Sequence, residues 1–385
     1  MDIAFVNRFA GISRGGGEMW DLKMAEGLER RGAEITFYVG KPLRKELPEP
    51  IEEFNSVAVD TPHLRDVAYS APRGIGGTLA DIDKWIFSDR IKKNLRKTDH
   101  DIIHINGHPR FAPYISEFDV PVTIKMNGPP HSLWYDVVNP FTSSYDFFEA
   151  FDTVIATGVT TQEIQERTSC GVHTINPGVD TDKFSPDGES MDWDRPTVLF
   201  VGRFVPAKDL SELLEGFAIV HKEIPESQLV LVGDGPLRER YETLSNSLGL
   251  NGAVSFTGYI DPDDVPDYYR GADVFALSSD HESFGMVLLE ALACGTPVVA
   301  PEIDYIPQIV EDGQCGLLYC KGDENDLADS LRRILKAPKL ATKLGSYGQK
   351  RAVNHYTWAQ QSEHLHQIFR DVVMYGEVIK RGQET

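Results

Sequence analysis

The sequence predicts an α/β protein made of two doubly wound domains, and three observations carry that expectation. At 385 residues the chain exceeds what one hydrophobic core serves, so two domains of about 190 residues are the default. Short apolar runs of strand type alternate with helix-period segments from residue 3 onward, and the alternation begins afresh at Thr197 after the polar segment Ser185–Pro196. Residues 273–300, DVFALSSDHESFGMVLLEALACGTPVVA, read as strand, loop, helix and strand. Such a crossover joins parallel strands. The expected division is 1–184 for the first domain, 185–196 for a linker and 197–364 for the second.

In the first domain, Ile3–Val6 is a buried strand, Asn7–Gly17 a loop, and Glu18–Arg31 a helix with Met19, Leu22, Ala25 and Leu28 at helical spacing. Gly15, Gly16 and Gly17 let backbone approach a phosphate at a helix N-terminus, although the string is not the G-x-G-x-x-G of dinucleotide folds. Gly32 closes the helix, Ile35–Val39 is the second strand, and 41–83 gives no clear periodicity. Lys84–Lys97 sets Phe87, Ile91 and Leu95 on one face among Arg90, Lys92, Lys93, Arg96 and Lys97. That pattern fits a solvated surface helix, with peripheral contact to an anionic membrane or lipid acceptor as the alternative. Asp101–Ile105 and Val122–Met126 are strands that end at Asn106-Gly107-His108 and at Asn127-Gly128, and strand C-terminal ends are where open α/β sheets hold ligands. A further strand is expected at Val154–Ala156.

In the second domain Thr197–Val201 is a strand, and VGRFVPAKDL places Arg203 and Lys208 in the loop after it. Val230–Val232 ends in Gly233-Asp234-Gly235-Pro236, which lacks the register of a dinucleotide loop. Val254–Phe256 precedes Thr257-Gly258-Tyr259-Ile260. In 273–300, Ser283 is the expected N-cap, Gly295 a left-handed C-cap, and Val298–Ala300 the next strand. The N–H groups of Phe284, Gly285, Met286 and Val287 are then free for a diphosphate. Glu282 and Glu290 are eight residues apart, about 12 Å at helical rise. A hydrolytic carboxylate pair needs about 5–9.5 Å. The spacing favours two carboxylates holding hydroxyls at opposite ends of a long ligand, with an anion between them.

Composition excludes several classes. A net charge of −21 argues against nucleic acid, whose binders present basic faces. Cys170, Cys294, Cys315 and Cys320 make no paired metal spacing with histidine and read as reduced thiols. Asp81 and Asp83, like Asp192 and Asp194, spell D-x-D but sit in a helical stretch and the expected linker, so they read as solvated acids. MDIAFVNRF carries no basic n-region or apolar h-region, and no run approaches 18 apolar residues, so a cytoplasmic location is expected.

HESFGMVLLEALACGTPVV contains E-x7-E, and with RGGGE, INPGVDTDKF, VGRFVPAKDL and the YTW at 356–358 it stands in one order along nearly the whole chain. In these motifs the protein resembles the retaining glycosyltransferases of family 4 type, the glycosyl transferases group 1. The resemblance implies the GT-B fold, two Rossmann-like domains facing a central cleft, with a last helix of about 365–385 returning to the first domain. It implies transfer of a sugar from a nucleoside-diphosphate sugar to a hydroxyl acceptor, with no metal or other cofactor. Glu282 would hold the transferred sugar and Glu290 the ribose, while Arg203, Lys208 and the N–H groups of Ser283 to Val287 would hold the diphosphate. Gly16 and Gly17 would approach the same diphosphate, and Gly258, Tyr259 and Ile260 would border the base. On the acceptor side the family often has histidine where Asn106 and Asn127 stand, and asparagine moves no proton near neutral pH. His108 and His131 are the nearby candidates to substitute. A sugar-nucleotide epimerase on the same fold and a catalytically silent sugar-nucleotide sensor are the alternatives, and transfer to an acceptor separates both from the first reading.

Overall fold

The computed structural model describes residues 1–8, 16–42, 51, 53–61, 86–107, 109–126 and 146–383. The chain divides into two compact units, Met1–Asn176 with Trp358–Thr385, and Pro177–Thr357.

In the first unit seven strands form one sheet: β1 (Asp2–Val6), β2 (Glu34–Pro42), β3 (Asn55–Thr61), β4 (Ile102–Asn106), β5 (Val122–Met126), β6 (Thr153–Ala156) and β7 (Val172–Thr174). Their order is β3-β2-β1-β4-β5-β6-β7, with every pairing parallel. Ile3 lies beside Ile35 on one flank and Ile102 on the other. Alternation along β1 sends Ile3 and Phe5 to the face covered by the helices Gly16–Glu29 and Trp358–Gln383, where Leu365, Ile368 and Phe369 pack. Ala4 and Val6 go to the other face, against Phe87, Ile91 and Leu95 of the helix at 86–95. The sheet is therefore covered on both sides, as apolar parallel strands require.

The second unit repeats the plan with β8 (Thr197–Val201), β9 (Gln228–Val232), β10 (Val254–Gly258), β11 (Val274–Ala276), β12 (Val298–Pro301) and β13 (Gly316–Tyr319), in the order β10-β9-β8-β11-β12-β13 and all parallel. A Cβ on Gly316 would lie 2.1 Å from the carbonyl oxygen of Val298, so only glycine lets these strands close.

The units divide at Asn176/Pro177, ahead of the boundary after 184 read from composition, and at Thr357/Trp358, ahead of the position near 365 that the resemblance implies. Residues 185–196 lie in the second unit. Met191 N donates to Asp267 O at 3.0 Å, Arg270 donates to the carbonyls of Ser185 and Glu189, and the Trp193 ring meets Tyr268 at 5.8 Å. The helix from Trp358 to Gln383 is part of the first unit, where Arg31 donates to Ser362 Oγ at 3.2 Å.

Candidate functional site

Where the strand order of a doubly wound sheet reverses, the loops leaving two neighbouring strands turn to opposite faces, and ligands settle between them. In the second unit the reversal lies between β8 and β11. The loops that leave there are 202–209 and 277–285. They are stitched together by Asp280 N donating to Ala207 O at 3.0 Å and by Ser278 Oγ donating to Lys208 O at 2.9 Å.

On this base Lys208 Nζ donates to Glu282 Oε2 at 2.5 Å, and Ser279 Oγ donates to the same oxygen at 3.2 Å. Their side chains are 23% and 16% exposed, so the pair is partly shielded but reachable. Two residues 74 positions apart thus form one ion pair. An ammonium has three hydrogens, leaving two on Lys208 for a further anion. Among the described residues nothing donates to Glu282 Oε1. Arg203, on the same loop as Lys208, is exposed and pairs with no described carboxylate.

Behind the pair stands a second cation that the motifs did not announce. Lys321, just past β13, forms ion pairs with Asp209 at 2.7 Å, with Asp280 at 3.0 Å and with Glu212, and donates to Ser278 O at 3.1 Å. Glu212 is buried and also accepts from Gly322 N at 2.6 Å and from Tyr319 Oη at 3.1 Å. A buried carboxylate needs that many partners.

The helix of the E-x7-E segment runs Met286–Ala293, and its N-cap is Gly285 at φ 94°, with no side-chain cap. Ser283, expected in that role, is exposed two residues earlier. The left-handed turn at Gly285 displaces it, because that φ suits glycine and leaves no room for a serine cap at the helix start. The same turn puts Glu282 outside the helix, so the 12 Å rise does not describe its separation from Glu290. Phe284 is buried between Tyr305 and Tyr356, at ring distances of 5.6 and 6.0 Å, so its side chain belongs to the core. Met286 and Val287 are half-buried against that core.

Glu290 lies in this helix and accepts from Tyr269 Oη at 2.9 Å. Burial pushes its carboxyl up to about 7, against the opposing pull of Tyr269 and Lys183. Nearby in the chain order, Gly258 has φ 77° and its carbonyl accepts from Gly233 N at 2.9 Å. Tyr259 is 74% exposed, and Ile260 packs on the core.

In the first unit the order reverses between β1 and β4. At that end Asp21, fully buried, accepts from Asn7 Nδ2 at 2.6 Å and from Asn106 Nδ2 at 2.7 Å. Asn106 is therefore oriented by a carboxylate of the first helix, which Gly16 and Gly17 begin. Lys125 of β5 is buried with Nζ 4.3 Å from the Trp20 ring centroid. His104 is buried beside Thr123 Oγ1 at 2.8 Å, and burial together with Lys125 pushes it down to about 3, so it stays neutral. His108, Asn127 and His131 lie outside the described residues, as do Asp81 and Asp83.

The amphipathic segment at 84–97 has its apolar side chains already used. Phe87, Ile91 and Leu95 are buried in the first unit, each contributing about 1.5–3 kcal/mol. Its cations are largely paired within the protein: Arg90 with Asp60 O, Lys92 and Lys93 with Asp89, and Arg96 with Glu117. Among the described residues no helix is long and apolar enough to cross a membrane, and no three His, Cys, Asp or Glu side chains are grouped to hold a metal ion.

Two family models tile the chain. The one described as Glycosyltransferase Family 4 matches residues 14–183, and the one described as Glycosyl transferases group 1 matches residues 183–351. The chain is 31% identical over 236 residues to the D-inositol 3-phosphate glycosyltransferase of Corynebacterium jeikeium, covering 55% of this chain and 56% of that protein. It is 31% identical over 215 residues to the GDP-mannose-dependent alpha-(1-6)-phosphatidylinositol monomannoside mannosyltransferase of Mycolicibacterium smegmatis, covering 52% and 56%. The match spans about half the length of these curated relatives. Among solved structures, sucrose-phosphate synthase from Thermosynechococcus elongatus has a TM-score of 0.76 at 23% identity, covering 97% of this chain and 100% of that one, a likeness of fold. With both sheets parallel and doubly wound and both models matched in sequence, the chain belongs to the family-4 type of glycosyltransferases, built on the GT-B fold.

Proposed function

We propose that this chain transfers a sugar, of hexosyl type, from a nucleoside-diphosphate sugar to a hydroxyl acceptor with retention of configuration and without metal or other cofactor. The observation that carries the reading is the Lys208–Glu282 pair at the β8–β11 reversal, with two ammonium hydrogens and one carboxylate oxygen still to be used. In this reading Lys208 and exposed Arg203 clamp the diphosphate, and the N–H groups opened by the turn at Gly285 add to the clamp. Glu282 Oε1 accepts from a hydroxyl of the transferred sugar, and Glu290 holds the ribose. Gly258, Tyr259 and Ile260 border the base, Gly16 and Gly17 approach the phosphates, and Asn106, with His108 and Asn127, serves the acceptor.

The step is a front-face exchange. The bond from the anomeric carbon to the diphosphate oxygen breaks, the acceptor oxygen bonds to that carbon from the same face, and the acceptor proton passes to the departing diphosphate. No side-chain nucleophile is consumed, which suits a site where Glu282 is bound to a lysine. Charge that grows on the diphosphate is met by preorganised cations, the arrangement that lowers barriers most.

A thermal-shift screen over UDP, GDP, ADP and their sugars tests the reading. A nucleotide at 100 times its Kd stabilises the fold by about 2.7 kcal/mol. The responding nucleotide names the donor class, and the names of the two relatives make GDP-mannose and an inositol-type acceptor the first pair to assay. Hydrolysis or epimerisation with no transfer to any hydroxyl acceptor would overturn the reading. Chelation is expected to leave transfer nearly unchanged, because Arg203, Lys208 and a helix N-terminus stand where a divalent ion would neutralise the diphosphate. Transfer rates with and without EDTA check this, and a loss restored by manganese would count against it.

A further inference from the structure

Asp304 stands in the turn between β12 and the helix Ile306–Val310 with φ 48°. That backbone is glycine's by preference, and a residue with a Cβ is kept there at a conformational cost. Among the described residues three non-glycines have positive φ, Asp209, Asp304 and Glu311, and the two aspartates border the Lys208–Glu282 pair. Asp209 follows Lys208 directly. Asp304 reaches the other partner: its Oδ2 accepts from Glu282 N at 2.7 Å and lies 2.8 Å from Nδ1 of His281. One carboxylate oxygen thus holds two consecutive residues of the 277–285 loop, from an element 22 positions on. Glu282 has no helical hydrogen bond to fix it, because the helix starts only at Met286. Its main chain is held by Asp304, and its side chain by Lys208 and Ser279.

We infer that Asp304 is a positioning residue: it anchors the main chain of Glu282 so that the carboxylate meets Lys208 with Oε2 and presents Oε1 to the transferred sugar. The inference rests on the glycosyltransferase reading above. A turn needed only for folding is served better by glycine, so an aspartate in a left-handed turn with its carboxylate on Glu282 is placed for the site and not for the turn.

Asp304→Gly and Asp304→Asn, assayed for kcat, donor KM and thermal midpoint, test it. The glycine variant is expected to melt at or above the wild-type midpoint, since glycine adopts this backbone freely. Its kcat is expected to fall about tenfold, the scale of one charge-assisted hydrogen bond, with a smaller change in KM. Asparagine tolerates the left-handed region and keeps an oxygen for the Glu282 N–H, so it should recover most of the rate. A merely structural role would move midpoint and rate down together, and that result would overturn the inference. So would a glycine variant with wild-type kcat, which would leave the transfer reading standing. A wild-type protein that transfers no sugar would overturn both.

Discussion

Lys208→Ala is expected to lower kcat by roughly 100- to 1000-fold while donor KM moves by a much smaller factor. Negative charge on the diphosphate grows as the glycosidic bond breaks, so a cation fixed beside it acts more on the transition state than on the bound donor. Removing one preorganised donor of this kind typically costs about 2.7–4 kcal/mol, and at about 1.36 kcal/mol per decade that is the stated range. The pairing adds a second loss. With Lys208 gone, Glu282 keeps only Ser279 Oγ at 3.2 Å on its carboxylate, and a side chain 16% exposed is left carrying an unpaired charge. Arg203→Lys should likewise fail to preserve activity, because lysine keeps the charge but not the forked geometry that grips two phosphate oxygens. Steady-state kinetics over donor concentration check both. A Lys208→Ala enzyme within about threefold of wild-type kcat would show that the pair is a surface ion pair, which is worth little.

The parts of this site that were legible in the sequence are those whose chemistry is local. The crossover at 273–300 is read from short apolar runs, Gly295 and Pro297, and the structure has Val274–Ala276, Met286–Ala293 and Val298–Pro301 there, with Gly295 at φ 80°. Arg203 and Lys208 stand out only through motif resemblance, Glu282 also through its spacing from Glu290, and nothing local tells that Lys208 and Glu282 touch. Their contact follows from β8 and β11 being neighbours although two strands intervene in sequence. Lys321, Asp304 and Tyr269 were missed for the same reason, since each carries no motif and is delivered by topology. Ser283 misled because cap preference is a weak bias, and one glycine at φ 94° outweighs it. The stretch at 84–97 leaves two readings open in sequence because an apolar stripe has the same period whether it faces a membrane or a core, and Phe87, Ile91 and Leu95 face the core, as the surface-helix reading expects. The polar residues 185–196 resemble a linker in composition, yet Trp193 and Met191 tie them to the second unit. Strands β3 and β7 escaped notice because one is half-exposed along most of its length and the other has three residues.

Glu290→Gln is expected to make the unliganded protein more stable above pH 7 while weakening its hold on the nucleotide. Burial raises the Glu290 carboxyl from 4.5 to about 7. Between those values the folded state binds more protons than the unfolded one, so its contribution to stability falls as pH rises and is fully lost above the folded value. At about 1.36 kcal/mol per unit, and discounted for partial exposure, the cost of the ionised form is on the order of 2 kcal/mol. Glutamine removes that cost and keeps an oxygen for the Tyr269 hydroxyl, which donates to Glu290 Oε2 at 2.9 Å. At pH 8 its thermal midpoint should therefore exceed the wild type's by roughly 5 °C, and at pH 5 the two should nearly coincide. Donor binding should run the other way. If the carboxylate accepts from both ribose hydroxyls, wild-type affinity should be about tenfold weaker at pH 6 than at pH 8, because protons compete for the same oxygens. The variant should bind roughly 100-fold more weakly at pH 8, the equivalent of one or two hydrogen bonds to a charged group, with its pH profile flattened. Glu282→Ala, acting at the sugar end, should leave free nucleotide binding nearly intact. Calorimetric titration with the responding nucleoside diphosphate at pH 6, 7 and 8 reads all three proteins at once. A Glu290→Gln variant that binds like wild type at pH 8, or a Glu282→Ala variant that loses nucleotide just as severely, would place the ribose somewhere other than Glu290.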